Sequence, residues 1–100
     1  LSLLGEKLPA ETALDWGLIN RVVEDGTALE AAKALAKDLA EGPTATLAMI
    51  RELYWSSLEN SYEEQIHEER KAQRIAGRTA DFLEGVSAFL QKRKANFTGK

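Results

Sequence analysis

The chain has 100 residues, of which 44% are hydrophobic, enough for one core but not for several domains. Its 13 Lys and Arg against 16 Asp and Glu give a formal net charge of -3, which argues against general affinity for nucleic acid or anionic membranes. The sequence has no cysteine, which excludes disulfides and thiol nucleophiles, and its only histidine is His67. No apolar run is long enough to cross a bilayer or resembles a signal peptide, so we expect a soluble, cytoplasmic chain.

The first 23 residues predict a junction between larger elements. The chain begins Leu1-Ser2-Leu3-Leu4 without a methionine, and Gly5 stands where a helix C-cap would fall, so we expect the end of a helix that starts in preceding sequence. Residues 9–17 predict a short helix. Residues 18–23 are branched and apolar and predict a strand, which needs a partner strand. This segment either lies extended on the helices or, as we favour, completes a sheet outside these residues.

The middle of the chain predicts two amphipathic helices. Thr27 and Glu30 have the spacing of a capping box, and Gly42-Pro43 should end the helix that they begin. Its apolar side comprises Leu29, Ala32, Leu35, Ala36, Leu39 and Ala40. Thr44 is a candidate cap for the next helix. That helix has an apolar stripe of Leu47, Ile50, Leu53, Tyr54 and Leu58. Trp55 lies off the stripe, either as a chance surface residue or as a contact to another domain or subunit.

Two further helices follow. Ser61 and Glu64 form a second capping box, and Gly77 should end that helix. The last helix should start near Thr79 or Asp81 and end in a cationic last turn at residues 91–94. Its apolar positions are Phe82, Leu83, Val86, Phe89 and Leu90. The predicted fold is therefore all-α, with about four main helices, a short leading helix and one orphan strand segment.

A few isolated residues are candidates for chemistry, although the sequence has no phosphate loop, metal-ligand spacing or nucleophile elbow. His67 lies on the polar side of its helix and is either a solvated histidine or a base. Glu69 points toward the inward side, either as a general acid or as a structural carboxylate. Phe89 and Lys92 are three residues apart, so a ring and an ammonium project side by side, which suits a purine ring beside a phosphate. The alternative is a core phenylalanine and a helix-terminal cation.

The chain resembles the enoyl-CoA hydratase/isomerase, or crotonase, superfamily. Residues 8–23 are similar to the segment that joins the spiral domain of these proteins to their C-terminal helices. Residues 69–100 are similar to the closing signature of the family, including Ala-Phe-x-x-Lys-Arg at residues 88–93. Within the family, this second stretch most resembles the isomerases that act on a ring epoxide of phenylacetyl-CoA in phenylacetate degradation.

The resemblance implies that residues 1–23 end the spiral domain and form the junction, and that residues 24–100 form a C-terminal helical oligomerisation domain. In this family the oxyanion hole and the acidic catalytic residues belong to the N-terminal spiral domain. We therefore expect no catalytic residue and no metal site here, and no turnover from these residues alone. The implied assembly is a trimer, commonly stacked as a hexamer, and the only cofactor group is the coenzyme A of the thioester substrate.

In some members of the family the signature phenylalanine and lysine contact the coenzyme A of a neighbouring subunit, near its adenine and ribose phosphate. The resemblance thus implies this substrate-binding role for Phe89 and Lys92. The resulting hypothesis is the C-terminal part of an acyl-CoA hydratase or isomerase, with no nucleic-acid or membrane partner. The alternative is a stand-alone, non-catalytic helical interaction module.

Overall fold

The computed structural model describes residues 3–100, in which every regular element is a helix. The helices are α1 (Ala10–Asp15), α2 (Ala28–Ala40), α3 (Thr44–Ser56), α4 (Tyr62–Ala76) and α5 (Ala80–Leu90). The predicted all-α fold, with a short leading helix and four main helices, is confirmed. The chain divides into two compact units, Leu1–Ala34 and Leu35–Lys100, with the boundary inside α2. The predicted domain division at residues 23 and 24 stays a prediction.

In the first unit, α1 is followed by chain without a regular element. Gly17 adopts a left-handed φ of 71° and ends the helix, as its residue type predicts. The strand predicted at residues 18–23 is not formed, because no second strand in the described residues supplies the partner that a ladder requires. Gly5 is also left-handed, with φ 64°. Leu1 and Ser2, where the predicted helix end begins, lie outside the described residues.

The starts of α2 and α3 differ from the predicted caps. The Thr27 hydroxyl donates to the backbone oxygen of Glu24 at 2.7 Å, so it does not form the capping box predicted with Glu30. Pro43, and not Thr44, occupies the N-cap position of α3, and no side chain caps that end. Thr44 is instead the first residue of the helix. In both cases the helix begins where predicted, but the bond that was expected to start it is absent.

The starts of α4 and α5 are capped as predicted. The Ser61 amide donates to the Glu64 carboxylate at 2.8 Å, and the Glu64 amide donates to the Ser61 hydroxyl oxygen at 3.3 Å. Hydrogen bonding of the carboxylate, first to the Ser61 backbone amide and then to the Ser61 side chain, holds the pKa of Glu64 below its ordinary value. Thr79 caps α5 by accepting from the Phe82 amide at 3.1 Å, and Gly77 stands at the C-cap of α4.

The helices bury very little of their apolar surface. In the described residues only two hydrophobic side chains are buried, Ala13 and Ala88. The apolar sides of α2, α3 and α5 are formed as predicted but are largely exposed, as at Leu29, Tyr54 and Leu83. The expectation that the composition supplies a core within this chain is therefore wrong.

The C-terminal segment folds back along α5 and is held there by Asp81. This carboxylate, which is only 4% exposed, accepts from the amides of Thr98 at 2.7 Å and Gly99 at 2.8 Å. The Asp81 amide donates to the backbone oxygen of Lys100 at 3.0 Å. A buried carboxylate is stable only where donors satisfy it, so the tail and the first turn of α5 depend on each other.

One glycine, Gly99, lets the tail lie close to its neighbours. The ring of Phe97 lies over Gly85 of α5, at a distance that would leave an added β-carbon in ordinary contact, 3.6 Å from a ring carbon. Gly99 has a left-handed φ of 78°, and a β-carbon there would collide with the hydroxyl of Thr44 at the start of α3. The tail thereby links α5 to α3 within the second unit.

Replacing Asp81 by asparagine should release the tail. The side-chain amide of asparagine keeps one acceptor oxygen and would turn a donor toward one of the two backbone amides, of Thr98 or Gly99, and a lost hydrogen bond to a charged group costs about 2 kcal/mol. Hydrogen–deuterium exchange of residues 94–100 should become much faster in Asp81→Asn. The matched control Asp38→Asn removes the same charge from an exposed position of α2 and should leave exchange of the tail unchanged. Unchanged protection in Asp81→Asn would contradict the account of the tail.

Candidate functional site

The structure leaves His67 as an exposed side chain. It lies on α4 beside a shallow depression that Glu63 and Glu68 also line. Across residues 3–100, no group of three or more His, Cys, Asp or Glu side chains is arranged to hold a metal ion. None of the helices in that range has the length and apolar content of a membrane span. The solvated interpretation of His67 is therefore the one that its position supports.

Glu69 takes part in a structural network between α3 and α4. Its carboxylate is exposed and accepts from the side-chain amide of Gln65 at 3.3 Å. The same amide donates to the Leu53 backbone oxygen at 3.3 Å, and the Gln65 side-chain oxygen accepts from Asn60 at 3.1 Å. Gln65 thus links α4 to the Leu53 backbone of α3 and to the loop at Asn60, and Glu69 joins this network through Gln65 on its own helix. This arrangement supports a structural carboxylate at Glu69 and not a general acid.

Phe89 and Lys92 come together at the end of α5, in a turn that we call the Lys92 turn, residues 88–93. The Lys92 amide donates to the Phe89 oxygen at 3.2 Å, and the Arg93 amide donates to the Ala88 oxygen at 3.0 Å. These are the two bonds of a Schellman motif, with Lys92 at the position after the C-cap. The sequence predicted that residues 91–94 form a cationic last turn of the helix. This prediction is wrong, because α5 ends at Leu90 and the cationic residues 92–94 follow it.

The residue type at this turn is unusual. A Schellman motif needs a left-handed residue, usually glycine, after the C-cap, and Lys92 adopts φ 52° there. Among residues 3–100 it is the one non-glycine residue with a positive φ. A left-handed conformation costs an L-residue about 1 kcal/mol or more, so the turn would be more stable with glycine. The presence of lysine indicates a use for its side chain.

Both candidate side chains at the turn point away from the chain's own packing. Phe89 is 83% exposed, so the interpretation as a core phenylalanine is wrong. Lys92 is exposed and makes no ion pair within the described part of the chain, whereas the nearby Lys94 lies 3.5 Å from the carboxylate of Glu41. The turn therefore presents an aromatic ring and an unpaired ammonium at the surface of the described chain.

A carboxylate of α5 fixes the turn from the other side. Glu84 accepts from two guanidinium nitrogens of Arg93, at 2.6 and 2.8 Å, and from the Asn96 amide at 2.8 Å. Arg93 also donates to the Gln91 side chain at 2.8 Å and to the Lys94 backbone oxygen at 3.1 Å. The hydrogen bonds from Arg93, then that from Asn96, lower the pKa of Glu84 to about 2, and the same pairing raises the pKa of Arg93.

A second exposed feature is an apolar groove of about 800 Å³ along α3. Trp55, which the sequence placed off the main stripe, lines it and is 69% exposed. The groove is also lined by Leu39, Ala40, Thr44, Leu47, Ala48, Ile50, Arg51, Tyr54 and Leu58. The side chains that line the groove are mostly apolar. Covering them with a neighbouring protein segment would remove apolar surface from water, which is favourable.

Sequence reasoning identified Phe89 and Lys92 but missed the residues that hold them. Glu84 was assigned no role and Asp81 only that of a possible helix start, although each lies on α5 with a buried or half-buried carboxylate. The signal was present in part: Glu84 and Arg93 stand on either side of the helix end, with opposite charges. A spacing of nine residues belongs to no helical pair, so only the fold of the tail reveals the contact.

Comparisons with known proteins give consistent matches over the whole chain. Residues 1–100 match the family model "Enoyl-CoA hydratase/isomerase". The 1,2-epoxyphenylacetyl-CoA isomerase of Escherichia coli K12 is 49% identical over 100 residues, which are 100% of this chain and 38% of that protein. The trans-2-decenoyl-(acyl-carrier-protein) isomerase of Streptococcus mutans is 33% identical over 100 residues, again 38% of that protein.

Solved structures give the same result. The crystal structure of enoyl-CoA hydratase from Mycobacterium tuberculosis H37Rv matches with a TM-score of 0.90 and 33% sequence identity. The match covers 100% of this chain and 40% of that one. The chain thus spans about two fifths of the length of the relatives that it matches, and its helices follow the arrangement found in one part of them.

The pairing of Glu84 and Arg93 should give stability a defined pH dependence. Because the pKa of Glu84 is lowered from 4.5 to about 2, its contribution is complete above pH 4.5 and is lost as the pH falls toward 2. Exchange of the Asn96 amide, which Glu84 accepts from, should accelerate across that window relative to its intrinsic rate. In Glu84→Gln this acceleration should be absent. An Asn96 amide that stays protected at pH 2 in the unmodified chain would contradict the assignment.

Proposed function

Because the chain belongs to the enoyl-CoA hydratase/isomerase family, we propose that it is the C-terminal helical part of a longer enzyme that transforms an acyl-CoA thioester. The family predicted from residues 8–23 and 69–100 is confirmed by the matches. The 49% identity to a 1,2-epoxyphenylacetyl-CoA isomerase supports a ring-oxidised phenylacetyl-CoA as the substrate of that longer enzyme, with an enoyl-CoA hydratase as the alternative activity.

The exposed apolar faces support an oligomerisation role for this part. Large apolar side chains on three helices are well exposed: Leu29 is 64%, Tyr54 74% and Leu83 65% exposed. Extended apolar faces are typical of surfaces that obligate interfaces bury. We infer that the remainder of the longer protein and neighbouring subunits cover the faces of α2, α3 and α5, and that the groove at Trp55 lies within such an interface.

The observation on which the binding proposal depends is the left-handed Lys92 with its unpaired ammonium beside the exposed Phe89. A ring of this exposure suits stacking on adenine, and the ammonium suits the 3′-phosphate of coenzyme A. We propose that the turn contacts the coenzyme A bound by a neighbouring subunit. An acyl carrier protein lacks the adenosine phosphate, so the same turn would distinguish the two kinds of thioester carrier.

No catalytic step is assigned to these residues. His67 and Glu69 are exposed, and Glu69 accepts a hydrogen bond from Gln65 on the same helix. Stabilising the enolate of a thioester needs preorganised donors at the carbonyl oxygen, and we propose that the other part of the longer protein supplies them. The helical part then contributes substrate affinity and assembly.

Two substitutions at Lys92 should separate binding from stability. In the complete protein that contains this chain, Lys92→Ala should weaken binding of coenzyme A at least about tenfold, since a hydrogen bond to a charged group contributes about 1.5 kcal/mol or more. Binding of dephospho-coenzyme A, which lacks the 3′-phosphate, should change less than about twofold. Lys92→Gly should lose the same affinity yet unfold at an equal or higher temperature, because glycine relieves the left-handed strain. Calorimetry and thermal unfolding measure these effects.

Lys94→Ala is the matched control, since Lys94 is a neighbouring cation whose ammonium already lies near Glu41. It should leave the ratio of the two dissociation constants unchanged. Equal weakening of both ligands by Lys92→Ala would count against the phosphate contact. No weakening of either ligand would remove the binding proposal and favour the alternative, a helical interaction module without a nucleotide ligand.

A further inference from the structure

In the Lys92 turn, the backbone of Lys92 is strained and the side chain of the next residue, Arg93, makes several hydrogen bonds. Lys92 has no side-chain partner in the described residues, yet the next residue, Arg93, donates from all three of its guanidinium nitrogens. Two of these bonds form a fork on the carboxylate of Glu84, at 2.6 and 2.8 Å. A planar guanidinium on a carboxylate fixes orientation as well as distance. The fork therefore fixes the chain immediately after Lys92.

The restraint is needed because the backbone at Lys92 is intrinsically unfavourable. Left to local preferences, a lysine at φ 52° would move toward the right-handed or extended regions. The two backbone bonds of the Schellman motif resist this movement, but such motifs ordinarily rely on glycine. Here the fork to Glu84 and the bond from the Asn96 amide at 2.8 Å close the turn on its far side.

We propose that Glu84 is a positioning residue for coenzyme A: acting through Arg93, it holds Lys92 left-handed so that its ammonium and the Phe89 ring face one ligand. The proposal rests on the binding role assigned above to Lys92 and Phe89. Glu84 itself touches no ligand, since its carboxylate is occupied by Arg93 and Asn96. When the turn is already fixed, binding of the ligand does not have to order it. The entropic cost of binding is then lower and the affinity is higher.

Removing the charge of Glu84 distinguishes a positioning role from simple electrostatics, because the two predict opposite changes in the affinity for coenzyme A. Removing the negative charge of Glu84 lowers the repulsion of a nearby phosphate and frees a cationic guanidinium, so electrostatics alone predicts tighter binding of coenzyme A. Loss of positioning predicts weaker binding. The two explanations therefore predict opposite shifts for the same variant.

The test uses the complete protein, with coenzyme A and dephospho-coenzyme A as ligands. Glu84→Gln should reduce the preference for coenzyme A about three- to tenfold and leave the affinity for dephospho-coenzyme A near that of the unmodified protein. Arg93→Lys keeps the charge but loses the fork, and should give the same result. In the Lys92→Ala background, Glu84→Gln should have no further effect on the preference, because both changes act on one contact.

Thr79→Ala is the control for general loss of stability. It removes the cap at the other end of α5, where Thr79 accepts from the Phe82 amide at 3.1 Å, and it should lower the unfolding temperature without changing the ligand preference. An unchanged or increased preference for coenzyme A in Glu84→Gln and Arg93→Lys, when Lys92→Ala abolishes it, would overturn the positioning role alone. A Lys92→Ala protein that keeps the preference would instead refute the binding role on which it rests.

Discussion

Two carboxylates one turn apart on α5 determine how the C-terminal end of this chain is built. Asp81 binds the amides of Thr98 and Gly99, and Glu84 binds the guanidinium of Arg93. Since the described residues bury no large apolar side chain, these polar contacts and the helix caps supply order that a hydrophobic core would ordinarily supply. The Lys92 turn ends at Arg93, which Glu84 holds, and the segment that Asp81 holds follows it at Thr98 and Gly99.

Little apolar surface is buried in the described residues, although the helices have apolar faces. Each main helix presents an amphipathic pattern, but the side that should be inside is largely exposed, as at Leu29, Tyr54 and Leu83, which are 64%, 74% and 65% exposed. A chain that spans about two fifths of its relatives' length has fewer elements to cover such faces. We propose that the chain is one part of a larger assembly, in which α2, α3 and α5 would pack on surfaces from other parts.

The sequence predicted the limits of the helices better than the burial and tertiary contacts of their side chains. Helix limits at Gly17, Ser61 and Thr79 followed from local capping chemistry, which depends on neighbouring residues only. The strand expected at residues 18–23 is not formed within the described residues, and its pairing with a sheet outside them stays a prediction. The alternative of a core Phe89 is wrong for these residues, because hydrophobic patterning cannot locate the surface that would cover a side chain. The Glu84–Arg93 pair was missed for the same reason: it depends on a reversal of the chain at a left-handed lysine, a residue type that does not signal one.

The central claim is that the exposed aromatic side chains of this helical part are covered in the protein to which it belongs. Hydroxyl-radical footprinting tests it most directly, by comparing oxidation of Trp55, Tyr54 and Phe89 in the 100-residue chain and in the complete protein. The account predicts that Trp55 and Tyr54 react readily in the chain alone and slowly in the complete protein, where Phe89 is protected only when coenzyme A is added. Equal oxidation of Trp55 and Tyr54 in both samples would contradict the account.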